Sequence, residues 1–420
     1  MHNPSDAAPQ PLAPTAAYPA TSLSTNPSAT PSTTPSASRA YTCQCGRPVY
    51  LRNSQCLACG TPLGYVVARR SVLPLAPRAG VPQADVPQAD AARFTVVGED
   101  GGAQYQRCAN FEPIGCNWMV PVDGEAHAQA DANLAPGLCL SCSCTRTIPD
   151  LAVAGNLTHW RKLETAKRRV LSQLLVLGPA GKGLPLTTRH AAPDSGLAFD
   201  ILTDTVGADR VLTGHQDGVI TLNAEEADDA VRERIRTDMH EPYRTLVGHF
   251  RHELGHYFWD VLVRDAPVLG DFRQLFGDET QDYAAALRQH YDNGPPGDWP
   301  SRFVTSYAST HPWEDWAETW AHYLHMADTV DTAVSFGLDA GRVELSTDLF
   351  TPQDLWRPDA PEAAAFLEFL NTWVRLTNAL NELSRSMGQP DFYPFVLPHA
   401  AVPKLQFIHA LITAQSSPST

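Results

Sequence analysis

Large apolar side chains recur at helical spacing through residues 245–262. Leu246, Val247, Phe250, Leu254, Tyr257, Phe258 and Leu262 share one side of a helix. His249, His252, Glu253, His256 and Asp260 share most of the other side. A second helix is predicted from Pro312, a residue that suits a first turn. Along it Trp313, Trp316, Trp320 and Leu324 form an apolar stripe, and Glu314, Asp315, Glu318, His322 and His325 gather opposite. NLTHWRKLETAKRRVLSQLLVLG reads as a long amphipathic helix with a basic face. LAFDILTD and GVITLN are short β-like runs separated by turn residues that include Gly214 and Gly218. Ala224–Met239 is charged and helical. These elements predict an α+β chain, with a mostly helical domain and a small strand region over 150–420.

The first part of the chain follows a different pattern. Residues 1–40 are almost entirely Ala, Pro, Ser and Thr without apolar periodicity, which predicts a disordered tail. Residues 70–92, with the tandem VPQADVPQAD, read as a disordered Pro/Ala-rich linker. Between them, over 41–69, Cys43 and Cys45 precede Cys56 and Cys59, and Gly46 and Gly60 each follow a pair. Two cysteine pairs on tight turns joined by a hairpin-length spacer match a small β zinc ribbon. A second cysteine-rich module is expected over 93–149, from Cys108, Cys116, Cys139 and Cys142. Cys144, the ninth cysteine, is either a spare thiol or an alternate ligand. An odd total favours metal thiolates over a full disulfide set.

Composition narrows the classes. The chain has 43% hydrophobic and 18% charged residues, a formal net charge of −15, and no apolar run of membrane-spanning length. No basic head followed by an apolar stretch marks a secretory signal, so a cytoplasmic location is expected. An acidic chain is a poor general binder of nucleic acid. The cluster Arg161, Lys162, Lys167, Arg168 and Arg169 reads as a solvated helix face. Arg47 and Arg52 at the ribbon hairpin are few for phosphate binding. A protein partner docking on the ribbons is compatible with this composition.

HELGH supplies the candidate chemistry. His252 and His256, four residues apart, stand one above the other on the helix and can bind one zinc ion, with Glu253 beside them as general base for a water. A catalytic zinc needs a third protein ligand. Glu318, central on the polar face of the second helix, is the expected one, and His322 and Asp260 are alternatives. Asp315 is expected to accept a hydrogen bond from a ligating imidazole. His249 is expected beside the site and His215 in a loop. The zinc complement is one catalytic ion and one or two structural ions.

HELGH followed by EDWAETWA, with Tyr307 in SYAS before it, resembles the gluzincin metallopeptidases. That resemblance implies a zincin-like domain, with the last glutamate of EDWAE, Glu318, as third ligand and Tyr307 as donor to the tetrahedral intermediate. More closely, residues 41–412 resemble a bacterial family of zinc-binding metallopeptidases with an N-terminal zinc ribbon. CQCGRPVYLRNSQCLACG, CNWMVP, TRTIPDL, LAFDIL, GVITLNAEEAD, EPYRTLVGHFRHELGHYFWD, HPWEDWAETWAHYLHM and MGQPDFYPFVL carry the resemblance. The C-x-C first knuckle, Cys144 and the long tail depart from it. The expected function is zinc-dependent hydrolysis of a peptide or related amide bond in a peptide or protein substrate, with GVITLN as the sheet edge that receives the substrate main chain. The rival expectation is a ribbon adaptor with a catalytically silent domain.

Overall fold

Short apolar runs and glycine turns after Ala40 build two cysteine knuckles and one sheet. In the computed structural model, residues 39–78, 93–99, 101–122, 133–178, 183–204, 211–238, 244–345 and 349–414 are described. The expected tail up to residue 38 and residues 79–92 of the expected linker lie outside the described residues. Strands β1 (Tyr41–Thr42) and β2 (Pro48–Val49) pair around the first knuckle. Gly46 and Gly60 close their turns at φ +79° and +73°, a left-handed conformation that costs a residue without Cβ little.

Strands β3 (Leu63–Val66), β4 (Ser71–Arg78), β5 (Arg93–Val96), β6 (Tyr105–Arg107) and β7 (Met119–Pro121) form one antiparallel sheet in that order. Residues 71–78 were expected in the linker and are instead a strand. Ser71–Pro74 pair with β3 and Leu75–Arg78 with β5. Each half of β4 therefore has one partner strand in the ladder, and this accommodates Pro74 and Pro77, which have no N–H to donate. The two cysteine modules are joined by this sheet. Two short helices, α1 (Phe111–Ile114) and α2 (Leu140–Ser143), complete the second module.

Strand β8 (Thr145–Thr147) pairs parallel with β9 (Ala198–Leu202) through the crossover helix α3 (Asn156–Leu174). The expected boundary at 149/150 thus falls after a strand that already belongs to the second sheet. That sheet runs β10 (Gly214–Gln216), β11 (Val219–Asn223), β9, β8, with only β10 antiparallel to its neighbour. GVITLN is therefore an inner strand, and β10 and β8 are the edge strands among the described residues. Phe199, Ile201, Ile220 and Leu222 bury one face of the sheet beneath the helices.

Eight further helices follow: α4 (Asp229–Asp238), α5 (Leu246–Leu262), α6 (Leu269–Phe276), α7 (Tyr283–Asn293), α8 (Trp299–Arg302), α9 (Pro312–Ser335), α10 (Ala363–Ser386) and α11 (Val402–Ala414). The α+β class holds, and no described helix is long and apolar enough to cross a membrane. Helices α5 and α9 cross where Gly255 meets Ala317. A Cβ at 255 would lie 3.0 Å from the Ala317 Cα, so the glycine sets how closely the helices approach. The Trp316 indole donates to the Gly255 carbonyl at 2.8 Å, and Trp316 and Trp320 are fully buried in the seam.

The basic face of α3 is only partly solvated. Arg161 is exposed, but Lys167 and Arg168 are buried beside buried Glu164. Lys167 donates to Glu164 at 2.7 Å and also to the Thr145 hydroxyl. Asp328 of α9 meets Arg39 at 2.8 Å, Arg169 at 2.8 Å and Arg251 at 2.9 Å. One buried carboxylate thus ties the segment before the first knuckle to α3, α5 and α9.

Candidate metal centre

Helix α5 begins at Thr245, whose hydroxyl accepts from the Gly248 N–H at 3.0 Å. Helix α9 begins at His311, whose Nδ1 accepts from the Trp313 N–H at 3.1 Å while Nε2 lies 3.2 Å from the Gln281 carbonyl. The N-terminal turn of α9 is thereby fixed against the segment just before α7, and Glu314 lies at the crossing with α5. His252 Nε2 and His256 Nε2 lie 3.2 Å apart, and Glu314 Oε2 lies 3.1 Å from the first and 3.5 Å from the second. Nitrogen and oxygen ligands about 2.0–2.1 Å from a tetrahedral zinc stand roughly 3.3–3.4 Å from one another. The three atoms have that spacing, and Glu314 Oε2 is buried without a hydrogen-bond partner among the described residues. A divalent cation suits this donor set, because two imidazole nitrogens and a buried carboxylate oxygen converge on one point.

Glu318 does not reach this point. Its Oε1 accepts from His252 Nδ1 at 2.6 Å, on the other side of the imidazole, and its Oε2 accepts from the Thr305 hydroxyl at 2.7 Å. Thr305 Oγ1 in turn accepts from the Ala308 N–H at 3.0 Å. Glu318 thus occupies the place beside the imidazole expected of Asp315, on the side away from Nε2. The exchange follows from helix geometry. Glu314 lies one turn nearer the start of α9, level with the two histidines at the crossing. Asp315 is buried elsewhere, bonded to Lys404 at 2.6 Å, and burial raises its pKa to about 6 against that cation. His322 bonds the Tyr393 hydroxyl at 2.5 Å, Asp260 pairs with Arg264, and His249 contacts Glu226 at 2.7 Å. None of these three joins the triad.

Glu253 is buried beside the triad with Oε2 unpartnered among the described residues. Burial raises its pKa, while His252 and His256 oppose the rise. Tyr307 sits with its ring 6.0 Å from that of His252, and burial, reinforced by Glu314 and Tyr283, raises its phenol well above the usual range. It is a neutral donor at this position. His215 is on edge strand β10, its ring 6.4 Å from those of His256 and Trp313. Its Nε2 accepts from the Gly218 N–H at 3.1 Å, which puts the proton on Nδ1, and burial lowers its pKa to about 3. Trp313 leaves the core stripe to lie 3.9 Å from the His256 ring.

Sequence reasoning did not single out Tyr283, whose hydroxyl donates to Glu314 Oε1 at 2.6 Å. No spacing signals it, since it lies on a different helix. Nor did it find Thr305, although that residue stands two positions before Tyr307.

The cysteines form two tetrads. In the first, Cys43 Sγ lies 3.6 Å from Cys59 Sγ, and Cys45 Sγ 3.8 Å from Cys56 Sγ. In the second, Cys116 Sγ lies 3.6 Å from Cys139 Sγ and 3.7 Å from Cys142 Sγ, with Cys108 completing the set. Four thiolates about 2.3 Å from zinc stand roughly 3.8 Å apart, whereas a disulfide needs about 2.05 Å. The spacing is that of a zinc tetrahedron. Cys144 lies outside both sets, and burial raises its thiol to about 12.

Two thiolate tetrads ahead of a helical domain built on HELGH define a ribbon-headed metallopeptidase scaffold. The chain belongs to the family described as "Putative zinc-binding metallo-peptidase", whose model matches residues 156–411, and a zinc-ribbon domain model matches residues 40–153. Uncharacterized proteins of Mycobacterium bovis and Mycobacterium tuberculosis are 39% identical over 369 residues, covering 88% of this chain and 93% of each relative. No solved structure matches the chain.

Proposed function

We propose that the chain is a zinc-dependent peptidase whose metal is held by His252, His256 and Glu314. The observation that carries this reading is the convergence of two Nε2 atoms and one buried carboxylate oxygen at tetrahedral spacing. Zinc, when bound, supplies a Lewis acid and lowers the pKa of a water in its open position. Glu253, a buried base with raised pKa, takes the proton of the attacking water and returns it to the leaving amine. Glu318, backed by Thr305, keeps His252 Nδ1 protonated through the cycle. Tyr307 donates to the oxygen that gains charge. Strand β10 presents a free edge to which a substrate main chain can add, and the Nδ1–H of His215 is a donor beside it. The two cysteine tetrads hold structural zinc, which gives a complement of three ions.

The test is hydrolysis of a mixed peptide library by the parent and by Glu253→Gln. The variant is expected to keep its full zinc content and lose cleavage by about two to four orders of magnitude. A Glu253→Gln protein that cleaves at the parental rate removes this mechanism.

A further inference from the structure

We infer that Tyr283 is the positioning residue that aims Glu314 at the metal, and that helix α7 is held over the site by this bond. The inference rests on the proposed ligand set. The last torsion of a glutamate is broad, so packing alone sets the carboxylate plane weakly. The Tyr283 hydroxyl donates to Glu314 Oε1 at 2.6 Å, and this directs Oε2 toward the two Nε2 atoms. It also reserves Oε1, so that Glu314 offers the metal a single oxygen.

The helix that carries Tyr283 is lightly packed. None of the side chains of α7 is buried. It is capped by Asp282, which accepts from the Ala285 N–H at 2.9 Å, and is bracketed by Gly277 at φ +107° and Gly294 at φ +75°. The ring of Tyr283 stands edge-on to His311 at 5.3 Å and to Trp313 at 5.9 Å, both at the start of the ligand helix. Farther along α7, His290 lies edge-on to Tyr307 at 6.0 Å. These aromatic contacts of α7 are with residues of the site or its supports. Displacing α7 would therefore release Glu314 Oε1.

The experiment measures zinc affinity in the full chain by graded chelator competition, following the ribbon ions separately through thiol reactivity. Tyr283→Phe is expected to weaken zinc at the histidine site by about 10- to 100-fold, the usual scale for losing such a support. The ribbon ions should be unaffected, and cobalt placed in the histidine site should show a shifted visible band. Gln289→Ala, at an exposed position on the same helix, should match the parent. Parental zinc affinity and an unshifted cobalt band in Tyr283→Phe would overturn the positioning role and leave the ligand set standing. A parent with no zinc at His252 and His256 would overturn both.

Discussion

Tyr307 is the proposed donor to the substrate oxygen, and its surroundings suit that role. Its phenol is kept neutral by burial and by the nearby acidic Glu314, and it lies against the His252 ring. A donor so placed bonds most strongly when charge develops on the substrate oxygen. Tyr307→Phe should lower turnover by about ten- to a thousandfold with the Michaelis constant and zinc content near parental values. Turnover within twofold of the parent would reduce Tyr307 to packing. At this scale the sequence was legible in part. HELGH names its own three residues, because their spacing is set by one helix. The pattern pointed to Glu318, yet Glu314, four residues earlier, shares its helix face. Which of them faces the histidine Nε2 atoms depends on where α9 crosses α5, and that depends on packing around Gly255 and Ala317.

Elements hold the site at that crossing. A methyl group added at 255 would press on the backbone of Ala317 at 3.0 Å, where no flexible side-chain end can yield. Gly255→Ala should therefore cost about 1–3 kcal/mol of stability in denaturant unfolding. Unchanged stability would mean that the two helices have slack and do not fix the ligand geometry. The periodicity that revealed α5 and α9 failed elsewhere for identifiable reasons. SVLPLAPR reads as linker because proline is rare inside sheets, yet β4 changes partner halfway and tolerates both prolines. The cationic run on α3 reads as solvated, yet Glu164 draws Lys167 and Arg168 inward while Arg161 stays exposed. Pairing partners decide both cases.

In the whole molecule, the ribbon region and the helical domain share one continuous buried core that runs from Tyr41 to Ile412. The Asp328 carboxylate fastens Arg39, just before the first knuckle, to Arg251, the neighbour of His252. This argues against a ribbon that merely hangs from a peptidase on a tether. The four-cysteine pattern was legible because a tetrahedral zinc tolerates few spacings, but the sheet joining the two tetrads was hidden by the composition of the linker. Metal content reads all three candidate centres in one number, and is the most direct check on the assignment. Element analysis should find three zinc ions in the parent and two in Glu314→Ala, one for each remaining group. Glu318→Ala should retain three, with one held about 10- to 100-fold more weakly. A Glu314→Ala protein that keeps three ions, beside a Glu318→Ala protein that keeps two, would contradict the account.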